Sequence, residues 1–523
     1  MSTLIKVVIA WAMGLTCCFG KPPDYRNPVL AGDYPDPSVV RVGDDYWATA
    51  TSSEWAPQFL ILHSRDLVNW EIVGSAFPER PKWAVGNFWA PEITYHNGRY
   101  YIYYVGRNQE GRLAVAVATS DTPQGPYEDH GQLIAQEAGS IDGMAFTDQD
   151  NQRWLVWKED GNSRDQPTPI WLQRLSADGL KLTGERREIL RNDAEWEGSV
   201  VEGPFILFRN GWYYLFYAGG ACCGQECSYG VGVARARELD GPWEKSPSNP
   251  ILTDNSAWRC PGHGSVVQDT SGRDWFLYHA YAADTFVPTG REMLLDEIRW
   301  NKAGWPRLGR DGPSTTAVAP IGFTKRDSKA VFHESFEDGP LPMGWLWPQE
   351  RIPDHQLVNG MLLLKSPNSA GNDLLGAVVA KTCISGQYRA TTTVDLNQMN
   401  DATLAGIAAI GDLENGLGLA VNQNKAVVWQ RKRGRQKFRI EQTIDMPKKI
   451  HLRLSVEDGD QMNFAYSPDG KTWSPLGATF DGSYMPPWDR SIRIALTAGN
   501  TAGATAKFDD FAIESLQPEQ SAK

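Results

Sequence analysis

A pattern of short strands recurs five times in the first 320 residues, and few folds are open to a chain built that way. Each copy holds an apolar strand, a tight turn, an aromatic strand, a longer loop, an alternating strand and a Gly/Trp-bearing hairpin. The copies open DPSVVRVGDDYWATATSS, APEITYHNGRYYIYYVG, DGMAFTDQDNQRWLVWKE, EGPFILFRNGWYYLFYAGG and GHGSVVQDTSGRDWFLYHA. Gly43-Asp44-Asp45, Asn97-Gly98, Asn210-Gly211 and Ser271-Gly272 carry hairpin chemistry between runs rich in Val, Tyr, Phe and Trp. Four antiparallel strands in roughly 50–60 residues is the scale of a propeller blade. Solenoid repeats are usually shorter and dominated by helix or by one strand per turn, and no sustained helical period appears here. The expected fold class is all-β: a five-bladed β-propeller over 21–325, then a β-sandwich over 326–523.

Propeller geometry turns these repeats into a chemical prediction. The innermost strands share one axial funnel, and the residues at their heads are Asp36, Glu92, Asp142, Glu202 and His263, at intervals of 56, 50, 60 and 61. A single Asp or Glu at a strand edge is most often a turn residue or cap, and Asp33, Asp44, Asp45 and Glu197 read that way. Equivalent placement in five repeats does not. Clustered carboxylates repel one another, and proteins accept that cost mainly at functional sites. Glycosidic cleavage uses such a cluster: a protonated carboxyl assists the leaving oxygen, and an ionised one activates water or attacks the sugar. A third carboxylate beside them helps to hold the two in opposite protonation states.

The motifs NPVLAGDYPDPSVVRVGDDYW, FWAPEI, SIDGMAF, VEGPFI, GHGSVV and TGRE occur in order over residues 27–320, one or more per blade. Together they resemble glycoside hydrolase family 43, whose members are five-bladed propellers acting with inversion on arabinosides and xylosides. The resemblance implies that Asp36 is the general base and Glu202 the general acid, with Asp142 tuning and orienting its neighbour. It also implies that Arg291 and Trp89 bind sugar, Trp89 having a core position between blades as its plainer reading. Glu92 joins the substrate-binding set by its axial place. The family histidine matched by His263 faces a calcium or water cluster in many members, so any metal at His263 would be structural. No cofactor is required for catalysis. The implied activity is release of terminal α-L-arabinofuranosyl or β-D-xylosyl units. An endo-arabinanase or galactan-directed hydrolase, and a sugar-binding propeller without turnover, are the alternatives. Blades one and four lie two steps apart on a five-fold ring, so Asp36 and Glu202 should face each other at the wider spacing of inverting enzymes, about 6.5–9.5 Å.

The rest of the chain sets the context. Asp plus Glu outnumber Lys plus Arg by 63 to 51, a net charge of −12, which disfavours nucleic acid as a partner and leaves an oligosaccharide or polysaccharide as the expected one. Residues 1–20 read as a secretory leader, with Lys6 before the apolar run Val7–Leu15, too short for a membrane span. Cys17 and Cys18 keep a lipoprotein alternative open. Secretion or a periplasmic location would permit disulfides among Cys222, Cys223, Cys227 and Cys260, leaving Cys383 as a buried free thiol. Beyond about residue 326, short alternating strands such as YRATTTVDL, LAGIAAIG and KIHLRLSVED resemble the concanavalin-like sandwich that follows the propeller in some family members. Such domains can lend a loop to the active-site mouth or serve as carbohydrate-binding modules. Asp509 and Asp510 are candidate ligands for a structural calcium, with an edge-strand role as the plainer reading.

Overall fold

The computed structural model describes residues 23–309, 312–326, 331–368 and 371–516; the expected leader lies outside them. Five four-stranded antiparallel sheets follow one another along the chain, each a meander in sequence order. Their first strands are Ser38–Val42, Ala84–His96, Ser140–Thr147, Val201–Arg209 and Trp258–Gln268. Each first strand touches the next, and the fifth touches the first, so the sheets form a closed ring of five blades. Radial packing leaves each blade only a short outer edge in place of one long open sheet edge. The seam is fastened outside the blades: Asp24–Arg26 pairs antiparallel with Thr316–Val318, and Asn27 donates to the Leu295 carbonyl at 3.0 Å.

The alternation of Val, Tyr, Phe and Trp in each strand buries one row of side chains against the neighbouring blade. Blades one and two enclose Phe59, Ile61, Phe77, Phe88, Ile102 and Tyr104, with edge-to-face ring contacts at 5.1–5.9 Å. Blades three to five share a larger core around Val156, Leu172, Phe216, Val233 and Tyr278.

The C-terminal domain packs two antiparallel sheets face to face. One includes Met361–Lys365, Thr505–Ser515, Tyr388–Asp395 and Lys449–Glu457; the other includes Ala377–Thr382, Arg493–Gly499, Leu404–Ile410 and Gly416–Val421. Leu362, Phe508 and Leu452 meet Val379, Ile407, Leu419 and Leu496 in between. Cys383 is buried and free. Among the described residues no three His, Cys, Asp or Glu side chains are grouped as a metal site. Asp509 instead contacts the Lys449 ammonium at 2.5 Å.

Domain contact begins with main chain: Trp347–Pro348 pairs with Trp55–Ala56, a two-stranded ladder between sandwich and blade one. It continues through Asp33, which the sequence presents as a turn residue. In the structure its carboxylate is buried and accepts from the Arg291 and Ser491 amides at 3.2 and 3.0 Å and from the Arg493 guanidinium at 3.1 Å. The turn reading fails because Asp33's partners come from residues more than 250 positions away.

Candidate active site

The strand heads meet at the axis, and the backbone there is bent to aim them. Asp36, Asp142 and His263 have φ of 53, 57 and 35°, a left-handed conformation uncommon outside glycine. Register shifts occur at Ile141/Met144, Glu202/Phe205, Trp89/Glu92 and around Gly262. These bulges let a strand turn one side chain out of the pleat and into the funnel. Gly203, at φ 58°, has no room for a side chain, since a Cβ would lie 2.9 Å from the His263 ring.

Asp36 is gripped from several blades. Thr51 donates to its Oδ2 at 2.7 Å and Arg291 to its Oδ1 at 3.3 Å, while its amide donates to His279 Nδ1 at 3.0 Å. Burial alone would raise this carboxyl, but Arg291, then His263 and His279, and the Thr51 hydrogen bond outweigh it and hold it down to about 2. Asp36 is therefore a standing carboxylate. Burial also pushes the His279 ring well below its usual range, helped by Arg291, so it is neutral and its Nδ1 is a fixed acceptor.

Asp142 has the opposite tuning. Its Oδ2 accepts the Gly203 amide at 2.8 Å, one residue past Glu202. Burial raises it; the charges of Glu202 and Asp36 add to the rise, against His263 and Lys158. His263 bridges the two aspartates, its Nδ1 3.6 Å from Asp36 and 3.9 Å from Asp142. The histidine read as a metal neighbour thus faces two carboxylates.

Glu202 accepts through both oxygens, from Lys158 Nζ at 2.7 Å on Oε2 and from the Tyr229 hydroxyl at 2.8 Å on Oε1. Lys158 also binds Asp160 at 2.9 Å, and its side chain is 1% exposed. Glu92, expected in the substrate-binding set, is buried and accepts from Ser265 at 3.1 Å; burial, against that hydrogen bond, pushes it up to about 8. Ser265 belongs to the first strand of blade five, so this contact runs from blade two to blade five.

The mouth is built from both domains. Trp89 donates to Asp489 Oδ2 at 3.3 Å and meets Trp488 edge to face at 5.8 Å. Trp488 is 61% exposed, unusual for so large an apolar ring. Asp489 also accepts from Ser53 at 3.0 Å, and its carbonyl accepts from Arg291 at 2.9 Å. Beside Trp488 lies an insertion in blade four, GGACCGQECSYG at 219–230, which holds the Cys222–Cys223 disulfide and is bonded to blade five through Cys227–Cys260. A Cβ on its Gly224 would come within 3.5 Å of the Trp488 carbonyl.

Sequence reasoning missed Thr51, Lys158, Tyr229, His279, Trp488 and Asp489. Lys158 had a usable signal. It is a cation near the inner end of the largely apolar strand RWLVWKE, and hairpin register pairs it with Ile141, beside Asp142. The sandwich residues had none.

A closed five-bladed ring that gathers Asp36, Asp142 and Glu202 at its axis, beside exposed aromatic rings, has the groups a glycoside hydrolase uses. Residues 25–306 match the family model "Glycosyl hydrolases family 43", and residues 333–513 match the "Beta xylosidase C-terminal Concanavalin A-like domain". The chain belongs to glycosyl hydrolase family 43. It is 28% identical over 504 residues to "Xylosidase/arabinosidase 43B" of Humicola insolens, covering 88% of this chain and 90% of that protein. It is 30% identical over 312 residues to "Non-reducing end alpha-L-arabinofuranosidase BoGH43B" of Bacteroides ovatus, covering 55% and 54%. The crystal structure of the GH43 BlXynB protein from Bacillus licheniformis superposes with a TM-score of 0.81 at 27% identity, covering 94% of this chain and all of that one.

Proposed function

We propose that this glycosidase is exo-acting and inverting, releasing terminal α-L-arabinofuranosyl or β-D-xylosyl units from plant polysaccharides or their oligosaccharides. Asp36 is the general base, Glu202 the general acid, and Asp142 the group that orients and tunes Glu202. The observation that carries the reading is the gathering of three carboxyls at one axis: Arg291 and Thr51 grip Asp36, which is held down to about 2, and Asp142 binds the amide next to Glu202. A permanently ionised Asp36 is what activation of water requires. Arg291, shared between Asp36 and the Asp489 carbonyl, ties the base to the mouth. The rim of Trp89, Trp488 and the disulfide-bearing insertion favours a pocket that admits a chain end over a cleft that admits a chain middle.

Hydrolysis of nitrophenyl α-L-arabinofuranoside and β-D-xyloside, followed by proton NMR before mutarotation, tests this reading. Release of the inverted anomer from either substrate is expected. A retained anomer would overturn the mechanism, and activity confined to internal linkages would overturn the exo assignment. The two disulfides favour an oxidising compartment, so we place the protein outside the cytoplasm. Cell fractionation checks that placement.

A further inference from the structure

Tyr229 touches the machinery at a point that none of the assigned roles explains. It lies in the blade-four insertion and directly precedes the strand Gly230–Ala236. Its hydroxyl donates to Glu202 Oε1 at 2.8 Å. Its ring lies parallel to that of His279, with centroids 5.8 Å apart and planes 8° from coplanar. His279 in turn accepts the Asp36 amide. One stacked pair of rings therefore links the Glu202 carboxylate to the Asp36 main chain through a hydrogen bond at each end. The surroundings fix the stack: Gly262 leaves the space Tyr229 fills, since a Cβ there would lie 2.1 Å from the ring, and the preceding residue but one, Cys227, is bonded to Cys260 of blade five. Tyr229, Cys227, Cys260, Tyr281 and Val287 form one buried cluster.

We propose that Tyr229 is a positioning residue for the hydrolysis: through its hydroxyl and its stack on His279 it sets the separation and orientation of Glu202 and Asp36. The proposal rests on the acid and base roles given above. Burial, then the charges of Glu202, Asp142 and Asp36, push the Tyr229 hydroxyl well above its usual range, so it stays a neutral donor. The charged groups facing Glu202 are Lys158 from blade three, which touches it, and Asp142, whose carboxylate binds the next amide.

Two variants separate the hydroxyl from the ring, and Glu202→Gln run beside them separates this proposal from the roles it rests on. Tyr229→Phe keeps the stack and removes a donor that favours the ionised acid. The alkaline limb of kcat/KM should then rise by about one pH unit. With a poor leaving group kcat should fall about tenfold, with KM nearly unchanged. Tyr229→Ala also removes the support behind His279. Activated aryl glycosides, which need little proton assistance, should then lose about a hundredfold as well. A wild-type limb and kcat in Tyr229→Phe would overturn the proposal, as would a Tyr229→Ala enzyme that spares activated substrates. If Tyr229→Ala fails to fold, the limb of Tyr229→Phe decides alone. Equal loss by Glu202→Gln on good and poor leaving groups would remove the acid role itself. A leaving-group-selective Glu202→Gln beside an unaltered Tyr229→Phe would sink only the positioning role.

Discussion

Replacing Lys158 by methionine removes the cation in contact with Glu202 and keeps much of its buried stem. The ammonium is 2.7 Å from Glu202 and 2.9 Å from Asp160. At an effective dielectric of about 20, unit charges at the shorter distance attract by roughly 6 kcal/mol. Asp160 shares the ammonium, so the realised change falls in the usual range for an opposite charge in contact, about 1–3 pH units. The sign is fixed by the charge. The cation favours the carboxylate, so its loss lets Glu202 keep its proton to higher pH. The alkaline limb of kcat/KM should move up by that amount, while below the limb turnover of poor leaving groups slows because the acid is weaker. The change also leaves buried carboxylates unpaired, at a cost of about 3–5 kcal/mol in stability, so circular dichroism accompanies the pH–rate profile. Lys158→Arg keeps the charge and should keep the limb. A limb that stays put or moves down in a folded Lys158→Met enzyme would refute the electrostatic account.

Asp36→Asn should cut turnover by about 10²–10⁴-fold while sugar binding by calorimetry persists; restoration by azide with retained configuration would make Asp36 a nucleophile. Trp488→Ala should raise KM up to about tenfold with kcat little changed, because a pentose loses a stacking face and the acids lose nothing; an unchanged KM on oligosaccharides would take Trp488 out of the binding mouth. Asp33→Ala leaves Arg493 buried without its partner, and the denaturant midpoint should fall by the equivalent of about 3–5 kcal/mol. A midpoint within experimental scatter of the wild type would show that the clasp carries no stability.

The blades and their axial residues were legible because repetition makes position informative: an acid at one strand head is ambiguous, and four acids and a histidine at equivalent heads are not. How those residues reach the axis was hidden. Asp142 and His263 lie within strands whose regular pleat would direct them elsewhere, and only a bulge with a left-handed residue redirects them. Asp, Asn and His tolerate that conformation better than most, but the letters alone do not mark where it is used. Asp33 was misread for a related reason, since a turn and a long-range clasp look identical when the partners are Ser491 and Arg493. The pairing of Cys227 with Cys260, and of Cys222 with Cys223, was one of several open arrangements; nothing in the spacing selected it. Trp488 and Asp489 reach the mouth only because the sandwich docks on blade one.

That docking limits how freely the two domains can be traded. Asp33 sits three residues before Asp36, and its partners Ser491 and Arg493 follow directly on the loop that offers Asp489 to Arg291 and Trp488 to Trp89. A chimera that grafts a foreign sandwich onto this propeller must therefore bring a cation for Asp33 and a carbonyl for Arg291, or bury an anion and a guanidinium without partners. A change at position 493 is likewise felt three residues from Asp36, on the far side of the domain boundary. The two halves are separate in topology but share the surroundings of Asp36.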